Sequence, residues 1–377
     1  MYSLKGIVGN LFMRGCGLFP LRKKAVFSSY SGGSYGDNPK AIYEQMRQLA
    51  PGYQYIWIMK NENAQIEGAQ VVKANSFGAL FHLATSRIWV DNCRKREWIV
   101  KRKGQYYVQT WHGGFALKKV EADAQDKLPD QYIRNAKNDS KMADLFISGC
   151  KFCTQNYRDA FWYDGKILEY GQPRSDIFYR DPKSIQEKVR AYYGLEADTH
   201  VVLYAPTFRV DHNLECYDMD YRQLLEGLET RWGGKWKVIV RLHPNIADKQ
   251  GVISYSDQVL NGSCYADINE LIVASDMLIS DYSSCMFDAM EAGKKVMLYA
   301  SDIEKYNADR GTYLTLDQLP YLLATTNEEL QRNIQTFDDG VYKKKTSDFM
   351  KEYGFFNSDS SARRTAEYIL EQAAHRG

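Results

Sequence analysis

Two histidines of the 377-residue chain stand directly after apolar runs, beside groups that suit phosphate chemistry. His112 lies in QTWHGGFALKKV, and His243 lies in VRLHP, two residues after Arg241. A histidine in such a position can act as a general base, and a second cationic group can neutralise charge that develops on a leaving phosphate. The alternative for each histidine is a structural role in which the ring only ends a strand.

The segments YAPTFR and SDYSSCMFDAMEAG place hydroxyl groups after apolar runs. The first contains Thr207 and Arg209, and the second contains Ser283, Ser284 and Asp288. Both serines fall where a helix is predicted to begin, so their hydroxyls would meet backbone N–H groups at the positive end of the helix dipole. This arrangement predicts a diphosphate site. The alternatives are N-capping by either serine and, for the aspartate, an acid stabilised by the dipole.

The apolar runs that position these segments recur along the chain with helical stretches between them. They are KAVFSSY, YQYIWIM, RIWVDN, YYVQTW, DLFISG and KILEYG in the first half, and HVVLYAP, KWKVIVRLHP, DMLISDYSS and KKVMLYAS in the second. The alternation predicts an α/β fold with mostly parallel sheets. A helix-like segment, DPKSIQEKVRAYYGL, separates the two series, so we predict an N-terminal domain over residues 25–180 and a C-terminal domain over residues 181–377.

In open α/β sheets, ligands bind outside the carboxyl ends of the strands, and a cleft between the two sheets is therefore the expected site. Two more segments of the first half stand at such positions, SYSGGSYGDNPK at residues 29–40 and YGQPRSD at residues 170–176. The first is consistent with a phosphate-cradling loop, and a plain strand-to-helix turn explains it equally well.

Charge and cysteine content exclude some classes of protein. The chain has 49 basic and 47 acidic residues, a net charge of +2 that does not favour nucleic acid as a partner. A basic run, RKREWIVKRKG at residues 94–104, could lie against anionic lipid or a phosphorylated substrate, or be solvated surface. The seven cysteines are scattered, which favours a reduced compartment over a disulfide scaffold, and the single C-x-x-C pair does not predict a metal site.

Residues 1–24 carry five basic residues and no acidic residue, and they predict neither a signal peptide nor a spanning helix. On a helix, one face would collect the apolar residues Leu4, Ile7, Val8, Leu11 and Phe12. Such a face predicts a segment that contacts an anionic membrane surface, and packing against the protein's own core is the alternative.

The motifs WHGG, GQPRSD, YAPTFR, RLHP, SDYSSCMFD and DIEKYNADRG follow one another in an order that resembles the CDP-glycerol glycerophosphotransferase family, the primases and polymerases of teichoic acid synthesis. The resemblance implies a GT-B-like fold, with two Rossmann-type domains facing a central cleft, the N-terminal one on the acceptor side and the C-terminal one on the nucleotide-donor side. It implies transfer of glycerol phosphate from CDP-glycerol to a hydroxyl of a polyprenyl-diphosphate-linked or polymeric acceptor, in teichoic acid or capsule synthesis. CMP would be released without a cofactor, at the cytoplasmic face of the membrane, where the protein would be peripheral.

The resemblance also implies roles for individual residues. His112 would take the proton from the acceptor hydroxyl, and His243 with Arg241 would neutralise the diphosphate. The remaining substrate contacts would be Gly113, Gly114, Phe115, Ala116, Arg174, Pro206, Thr207, Arg209, Leu242, Ser283, Ser284 and Asp288. The family commonly has W-H-G-T-P where this chain has Gly114 and Phe115.

Three alternatives in function stay open at this point. The first is the same chemistry with CDP-ribitol or another polyol, and the second is a GT-B glycosyltransferase that uses a nucleotide sugar. The third is a module that binds a membrane or a polymer without catalysis. The sequence also leaves open whether one unit or many are added, because primases and polymerases share these motifs.

Overall fold

The computed structural model describes residues 4–207, 209, 217, 219–242, 253–303 and 311–376. His243 and most of the DIEKYNADRG motif therefore lie outside the described residues. The chain divides into two compact units. Unit 1 comprises Met1–His112, Val120–Asp176 and Phe356–Gly377, and unit 2 comprises Gly113–Lys119 and Ile177–Phe355.

Unit 1 is built on a sheet of seven strands. They are β1 Arg22–Ser28, β2 Gln54–Met59, β3 Gln70–Lys73, β4 Ser86–Asp91, β5 Tyr106–Gln109, β6 Leu145–Ile147 and β7 Lys166–Leu168. Their spatial order is β3-β2-β1-β4-β5-β6-β7, and every pairing in it is parallel. The strand order reverses between β1 and β4, which is the switch point at which doubly wound sheets bind ligands.

Helices cover both faces of this sheet, because alternate side chains of each strand point to opposite faces. The helices are α1 Leu4–Cys16, α2 Asp37–Leu49, α3 Phe77–Thr85, α4 Asp130–Met142, α5 Lys151–Asp159 and, after unit 2, α12 Ser361–Ala374. Phe27 and Trp57 pack with α2 and α12 in one buried cluster, whereas Val26 and Trp89 pack with α1 and α3 in another. The strands are apolar on both faces for this reason.

The C-terminal helix α12 belongs to unit 1, which differs from the predicted C-terminal domain of residues 181–377. Ala366 and Ile369 are fully buried against α2 and the sheet. The carboxylate of Asp176 accepts hydrogen bonds from the backbone N–H groups of Ser361 (2.9 Å) and Ala362 (3.0 Å), and it thereby fixes the start of the helix. The crossing after Asp176 lies close to the predicted boundary, but the chain returns at Phe356.

Unit 2 has a second parallel sheet, with six strands. They are β8 Thr199–Ala205, β9 Lys235–Val240, β10 Val259–Asn261, β11 Met277–Ser280, β12 Lys295–Tyr299 and β13 Leu322–Ala324, in the spatial order β10-β9-β8-β11-β12-β13. Its helices are α6 Lys183–Tyr193, α7 Tyr221–Trp232, α8 Ile268–Ala274, α9 Cys285–Glu291, α10 Asn327–Gln335 and α11 Asp339–Glu352. The order again reverses once, between β8 and β11, so both units have the Rossmann strand order and the predicted pair of α/β domains is confirmed.

The described residues also contain short 3-10 turns at Tyr30–Gly32, Glu121–Lys127, Pro173–Tyr179 and Leu316–Gln318. The C-x-x-C pair opens α5, where the backbone N–H of Cys153 donates to the sulfur of Cys150 at 3.3 Å. That pair therefore caps a helix. Across the described ranges, no group of three or more histidine, cysteine, aspartate or glutamate side chains is arranged to hold a metal ion.

The first helix, α1, is apolar on two sides. Gly6, Gly9, Met13 and Cys16 form its buried face, and a Cβ atom at Gly9 would come within 2.6 Å of the Trp98 ring. The predicted apolar face lies largely outside this contact, since Leu4, Ile7, Val8 and Leu11 are exposed. Among the described helices, none has the length and apolar character that crossing a membrane requires.

Most basic residues of the run at residues 94–104 form ion pairs or hydrogen bonds inside unit 1. These contacts correct the expectation of a lipid-facing or solvated run. The ion pairs are Arg94 with Glu121 and Asp139, Lys95 with Asp91, and Lys101 with Asp144. Arg102 donates to the backbone carbonyls of Phe19 and Ala84, both at 2.9 Å. The partners are 4 to 83 residues away in sequence, so the pairing depends on the fold.

Candidate active site

The candidate residues of unit 1 stand at the carboxyl ends of three neighbouring strands. Ser29 follows β1, Asn92 follows β4, and His112 lies three residues after β5. Because β1, β4 and β5 are adjacent in the sheet, these ends meet at one edge, at the switch point. This position agrees with the rule that ligands bind at the carboxyl ends of the strands, by which His112 is a candidate in the sequence.

The imidazole of His112 is oriented by a backbone carbonyl. Its Nδ1 lies 2.7 Å from the carbonyl oxygen of Asn92. A carbonyl only accepts hydrogen bonds, so Nδ1 carries the hydrogen and, in the neutral ring, Nε2 carries the lone pair that a general base needs. The ring stacks on Trp111 at 4.5 Å between centroids and meets the ring of Tyr30 edge-on at 5.8 Å.

A buried carboxylate, that of Asp37, lies behind this histidine. Its Oδ1 accepts from Arg174 Nη1 at 2.9 Å and from the backbone N–H of Asn38 at 2.8 Å, and its Oδ2 accepts from Asn92 Nδ2 at 2.7 Å. Burial alone would raise the pKa of this carboxyl group, but the Arg174 guanidinium and the hydrogen bonds from Asn38 and Asn92 outweigh it and hold the pKa below its ordinary value. Arg174, an expected substrate contact, is thus part of a buried ion pair.

Backbone strain is concentrated around His112. Four residues other than glycine adopt left-handed φ angles in its two neighbouring loops: Tyr30 (49°), Ser31 (54°), Asp37 (60°) and Trp111 (55°). Each such residue costs about 1–3 kcal/mol, so surrounding contacts must hold it. Strain of this kind is typical of residues whose position serves function.

The Trp111 ring is held by the buried side chain of Arg94. The Arg94 guanidinium lies over Trp111 at 5.3 Å from the ring centroid and over Phe161 at 5.0 Å. Glu121 and Asp139, both fully buried, neutralise it. Arg94 therefore supports the tryptophan on which His112 stacks.

The segment that follows His112 packs in unit 2, against the start of α9. Gly113 has a φ of +117°, and a Cβ atom added to it would stand 3.4 Å from Ser284 Oγ. The ring of Phe115 is 1% exposed and contacts Phe287 at 4.5 Å between centroids and Phe349 at 5.5 Å. This ring is a core element, so Phe115 can offer a substrate only its backbone. Gly114 is buried, and Ala116 is half-buried.

A second buried carboxylate, Asp281, organises the switch point of unit 2. It follows β11 and accepts from the backbone N–H of Thr207 (2.9 Å), from Thr207 Oγ1 (2.6 Å), from the backbone N–H of Tyr282 (2.5 Å) and from Arg209 Nη2 (2.8 Å). A carboxylate only accepts, so the Thr207 hydroxyl hydrogen points to Asp281. Toward any other group, this hydroxyl presents lone pairs.

The sequence predicts that Arg209 binds substrate. In the structure, its guanidinium donates hydrogen bonds to groups of unit 2. Nε and Nη2 donate to the two oxygens of Asp302 at 2.6 and 3.0 Å, and Nη1 donates to the carbonyl of Thr207 at 2.6 Å. The guanidinium also lies over the Tyr282 ring at 5.0 Å. These contacts make Arg209 a support for Thr207 and Asp281, and its contact with substrate stays a prediction.

Ser283 and Ser284 stand at the start of α9, as predicted. Ser283 Oγ accepts from the backbone N–H of Cys285 at 3.4 Å. Ser284 occupies the N-cap position, and within the described residues its side chain makes no capping hydrogen bond. Asp288 is 3% exposed in the first turn of the helix. Capping therefore accounts in part for Ser283 and does not account for the Ser284 hydroxyl.

The remaining candidates of unit 2 lie at neighbouring strand ends. Pro206 is buried directly after β8. Arg241, directly after β9, donates through Nη1 to the carbonyl oxygens of Gly262 (2.9 Å) and Tyr265 (2.5 Å). Leu242 is buried and donates its backbone N–H to Ser263 Oγ at 3.0 Å. The role of His243, which comes next in the sequence, stays a prediction.

The structure thus brings His112 and Arg174 together in unit 1, linked through Asn92 and Asp37. In unit 2 it brings Thr207 and Arg209 together, and separately Gly113 and Ser284. The sequence interpretation missed Asp37, Asn92 and Asp281. A signal existed for each, since a short polar side chain directly after a strand-like run, or before a helix, is what the strand-end rule selects.

Comparisons with known proteins identify the family and the relatives that this chain resembles. The family model described as CDP-glycerol:poly(glycerophosphate) glycerophosphotransferase matches residues 12–371. A teichoic acid poly(glycerol phosphate) polymerase of Bacillus spizizenii is 29% identical over 98% of this chain and 97% of its own length. Another, of Staphylococcus epidermidis, is 32% identical over 84% of this chain, which spans only 46% of that relative. The solved structure of the wall teichoic acid polymerase TagF superimposes with a TM-score of 0.86 at 29% identity, covering 99% of this chain and 96% of that one.

Proposed function

The chain belongs to the CDP-glycerol:poly(glycerophosphate) glycerophosphotransferase family, and we propose that it transfers glycerol phosphate from CDP-glycerol to a hydroxyl group of a teichoic acid or capsular acceptor. The match of the family model to residues 12–371 carries this proposal. The family description and both glycerol phosphate polymerases support glycerol over ribitol as the polyol. A crystal soak of a TagF variant with CDPG supports the nature of the donor.

His112 acts as the general base in this proposal. Its Nε2 takes the proton of the acceptor hydroxyl while the hydroxyl oxygen attacks the β-phosphorus of CDP-glycerol. The phosphoanhydride bond breaks, and CMP leaves with the bonding electron pair. The hydrogen bond from Nδ1 to the Asn92 carbonyl supports this role, because it selects the tautomer with a basic Nε2.

Unit 2 binds the donor, with its diphosphate at the loops that follow β8 and β11. The expected contacts are Gly113 to Ala116, Ser283, Ser284 and Asp288, joined by His243 and Arg241 as the charge-neutralising groups. The packing of Gly113 against Ser284 supports one shared site for the two segments. Phosphoryl transfer depends mainly on positioning and charge stabilisation, which hydroxyls, cations and backbone N–H groups supply.

Release of CMP tests the donor and the base together. We expect CMP and an extended acceptor from CDP-glycerol, much less from CDP-ribitol, and no UDP from nucleotide sugars. His112→Ala should abolish transfer while the far-UV spectrum stays unchanged. His375→Ala, an exposed histidine at the end of α12, is the matched control and should keep full activity. Transfer of a sugar with release of UDP would refute the assignment, and unchanged activity of His112→Ala would refute the base.

We also propose that the chain contacts an anionic membrane surface through the outer side of α1 and the residues that follow it, so that it reaches a polyprenyl-diphosphate-linked acceptor. Leu11 is 63% exposed, and Leu18 and Phe19 extend the apolar surface beyond the helix. Lys5 and Arg14 are exposed on the same helix. An apolar strip bordered by cations suits the interface of anionic lipid.

Point variants test this contact better than deletion, because removing α1 would also remove Met13 and Cys16 from the core. We expect Leu11→Glu combined with Leu18→Glu to abolish sedimentation with vesicles that contain phosphatidylglycerol. Val341→Glu, at an apolar residue of unit 2 that is 53% exposed, should leave sedimentation unchanged. Equal sedimentation of all three proteins would exclude this surface.

A further inference from the structure

We propose that Asn92 is the positioning residue that fixes the tautomer and the orientation of His112. The inference rests on the proposed function only for the role of His112 as a base. Asn92 is fully buried and follows β4, at the switch point of unit 1. Its carbonyl and its side-chain amide connect the loop after β1, the start of α2 and the loop after β5.

The side-chain amide of Asn92 uses both of its ends. Its Oδ1 accepts from the backbone N–H of Tyr30 at 2.7 Å. Its Nδ2 donates to Asp37 Oδ2 at 2.7 Å and to Ser29 Oγ at 3.2 Å. These bonds hold the asparagine, and with it the carbonyl oxygen that accepts from His112 Nδ1 at 2.7 Å.

Only an amide satisfies this set of partners. An aspartate at position 92 would have no N–H to donate, and its charge would face the carboxylate of Asp37. A leucine of similar size could neither accept from the Tyr30 N–H nor donate to the Asp37 carboxylate. Each of these groups would lose the hydrogen bond that it makes with Asn92. Buried groups left in that state cost about 1–3 kcal/mol each, so the loops would move to recover them.

The arrangement matters to the reaction because His112 gains a positive charge when it takes the proton. The Asn92 carbonyl then accepts from an imidazolium, which makes the hydrogen bond stronger. Close to this bond, the Asp37 carboxylate pairs with the Arg174 guanidinium, and the Arg94 guanidinium lies 5.3 Å from the centroid of the Trp111 ring on which His112 stacks. Without the side-chain bonds of Asn92, this carbonyl can move away from Nδ1. The ring can then adopt the Nε2–H tautomer, in which the nitrogen that must take the proton already carries one.

A purely structural role for Asn92 makes different predictions. If Asn92 only stabilised the fold, its substitution would lower stability and activity together. The folded fraction of the variant would keep the wild-type tautomer of His112. If Asn92 positions His112, its substitution lowers kcat more than it changes the affinity for CDP-glycerol, and it also changes the tautomer of His112. The two are separated by nitrogen chemical shifts of the histidine rings, which distinguish Nδ1–H from Nε2–H.

The experiment uses the full chain labelled with 15N-histidine, with the His112 signals assigned by their loss in His112→Asn. In the wild-type protein we expect the Nδ1–H tautomer. Asn92→Ala and Asn92→Asp should shift it toward Nε2–H and lower kcat by about 10- to 100-fold, as the loss of an orienting partner typically does. The Kd for CDP-glycerol should change less than about twofold. Asn156→Ala, a buried asparagine of α5 in the same unit, should keep the tautomer and kcat.

An Nε2–H tautomer in the wild-type protein would overturn the inference without any variant, even if Asn92→Ala does not fold. A kcat within twofold of wild type in a folded Asn92→Ala protein would also overturn it. A failure of the proposed function is separate, since it would appear as a wild-type chain that releases no CMP from CDP-glycerol.

Discussion

The backbone of Gly113 lies against the side chain of Ser284, and a Cβ atom added to this glycine would stand 3.4 Å from Ser284 Oγ. The space would admit an alanine, but the φ of Gly113, +117°, is strained for any residue with a side chain. Gly113→Ala would therefore turn the loop away from this geometry and move both His112 and the contact with Ser284. We expect kcat to fall by about tenfold or more, because small misplacements of reacting groups have large effects on rate.

Gly194→Ala is the control for Gly113→Ala, measured by steady-state CMP release and by thermal unfolding. Gly194 also has a positive φ, 61°, and no atom stands within 4 Å of the position of its Cβ. This glycine ends α6, away from the candidate residues. We therefore expect Gly194→Ala to lower the stability of the protein and to leave its activity unchanged. Equal kcat in both variants would mean that the conformation of Gly113 does not matter for transfer.

Arg94 supplies a prediction about stability. Its side chain is 4% exposed between Glu121 and Asp139, which are both fully buried. Arg94→Met would keep the volume and leave two carboxylates without their cation. We expect the free energy of unfolding of unit 1 to fall by about 3–5 kcal/mol, the usual effect of removing one partner of a buried pair.

Urea unfolding of Arg94→Met, followed by tryptophan fluorescence, measures this loss. Lys344→Met removes one side of an exposed ion pair with Asp348 and should unfold like the wild type. The triple variant Arg94→Met, Glu121→Gln, Asp139→Asn should recover part of the loss, since it leaves no unpaired charge. Arg94→Met with wild-type stability would contradict the buried-pair interpretation.

Much of the fold could be predicted because it depends on local pattern. Strands of a doubly wound sheet are apolar on both faces, so runs such as KAVF and YQYIWIM are visible as strands in the sequence. Polar residues after these runs indicated one edge of each sheet, and His112, Thr207 and Ser283 do stand there. Locating the switch point requires only the strand order. Short right-handed connections between parallel strands leave few alternatives for that order.

The features that the sequence did not predict depend on partners distant along the chain. Helix α12 returns to unit 1 because it packs on the sheet and on α2, which lies more than 300 residues earlier. The basic run looked like surface because Asp139 and Glu121 do not adjoin Arg94 in sequence. Likewise, Gly9 of α1 looks like a helix breaker in the sequence, whereas its lack of a side chain allows the ring of Trp98 to pack against the helix.

Asp281 and Asp276 flank the same strand, β11, and give a matched pair of substitutions. Asp281 accepts from Thr207, Tyr282 and Arg209 at the carboxyl end of the strand. Asp276 accepts from the backbone N–H of Val201 at the amino end. Asp281→Asn would replace an acceptor oxygen by an N–H group that repels these donors. We expect the KM for CDP-glycerol to rise by about tenfold or more, because the displaced loops carry the donor contacts.

Asp276→Asn should leave that KM unchanged, although it also removes a charge next to β11. Initial rates at varied CDP-glycerol concentration measure both variants. Circular dichroism checks that Asp281→Asn retains its secondary structure. If the KM values of the two variants are equal, the Asp281 network does not position the donor loops, and Arg209 has only a structural role.

The buried side chain of Lys24 predicts a dependence of stability on pH. Lys24 is 2% exposed, and its Nζ donates to Thr85 Oγ1 at 2.5 Å and lies over the Phe81 ring at 5.0 Å. Burial, with a smaller contribution from the positive charge of Arg22, lowers the pKa of Lys24 to about 8. In the unfolded chain a lysine has a pKa of about 10.4. The folded protein therefore carries an unfavourable charge at neutral pH, and Lys24→Met should raise the free energy of unfolding by on the order of 1 kcal/mol.

The sign of the pH effect follows from proton uptake. Below pH 8, Lys24 is protonated in both states, and the advantage of Lys24→Met over the wild type should be constant and at its largest. As the pH rises from 8 to about 10.4, the unfolded chain binds more protons than the folded protein, so the wild type gains stability relative to the variant. Urea unfolding of both proteins at pH 7, 8, 9 and 10 measures the difference, in which shared tyrosine ionisation cancels. Lys23→Met, at the exposed neighbouring position, is the matched control. A difference between the wild type and Lys24→Met that does not change with pH would mean that burial does not lower the pKa of Lys24.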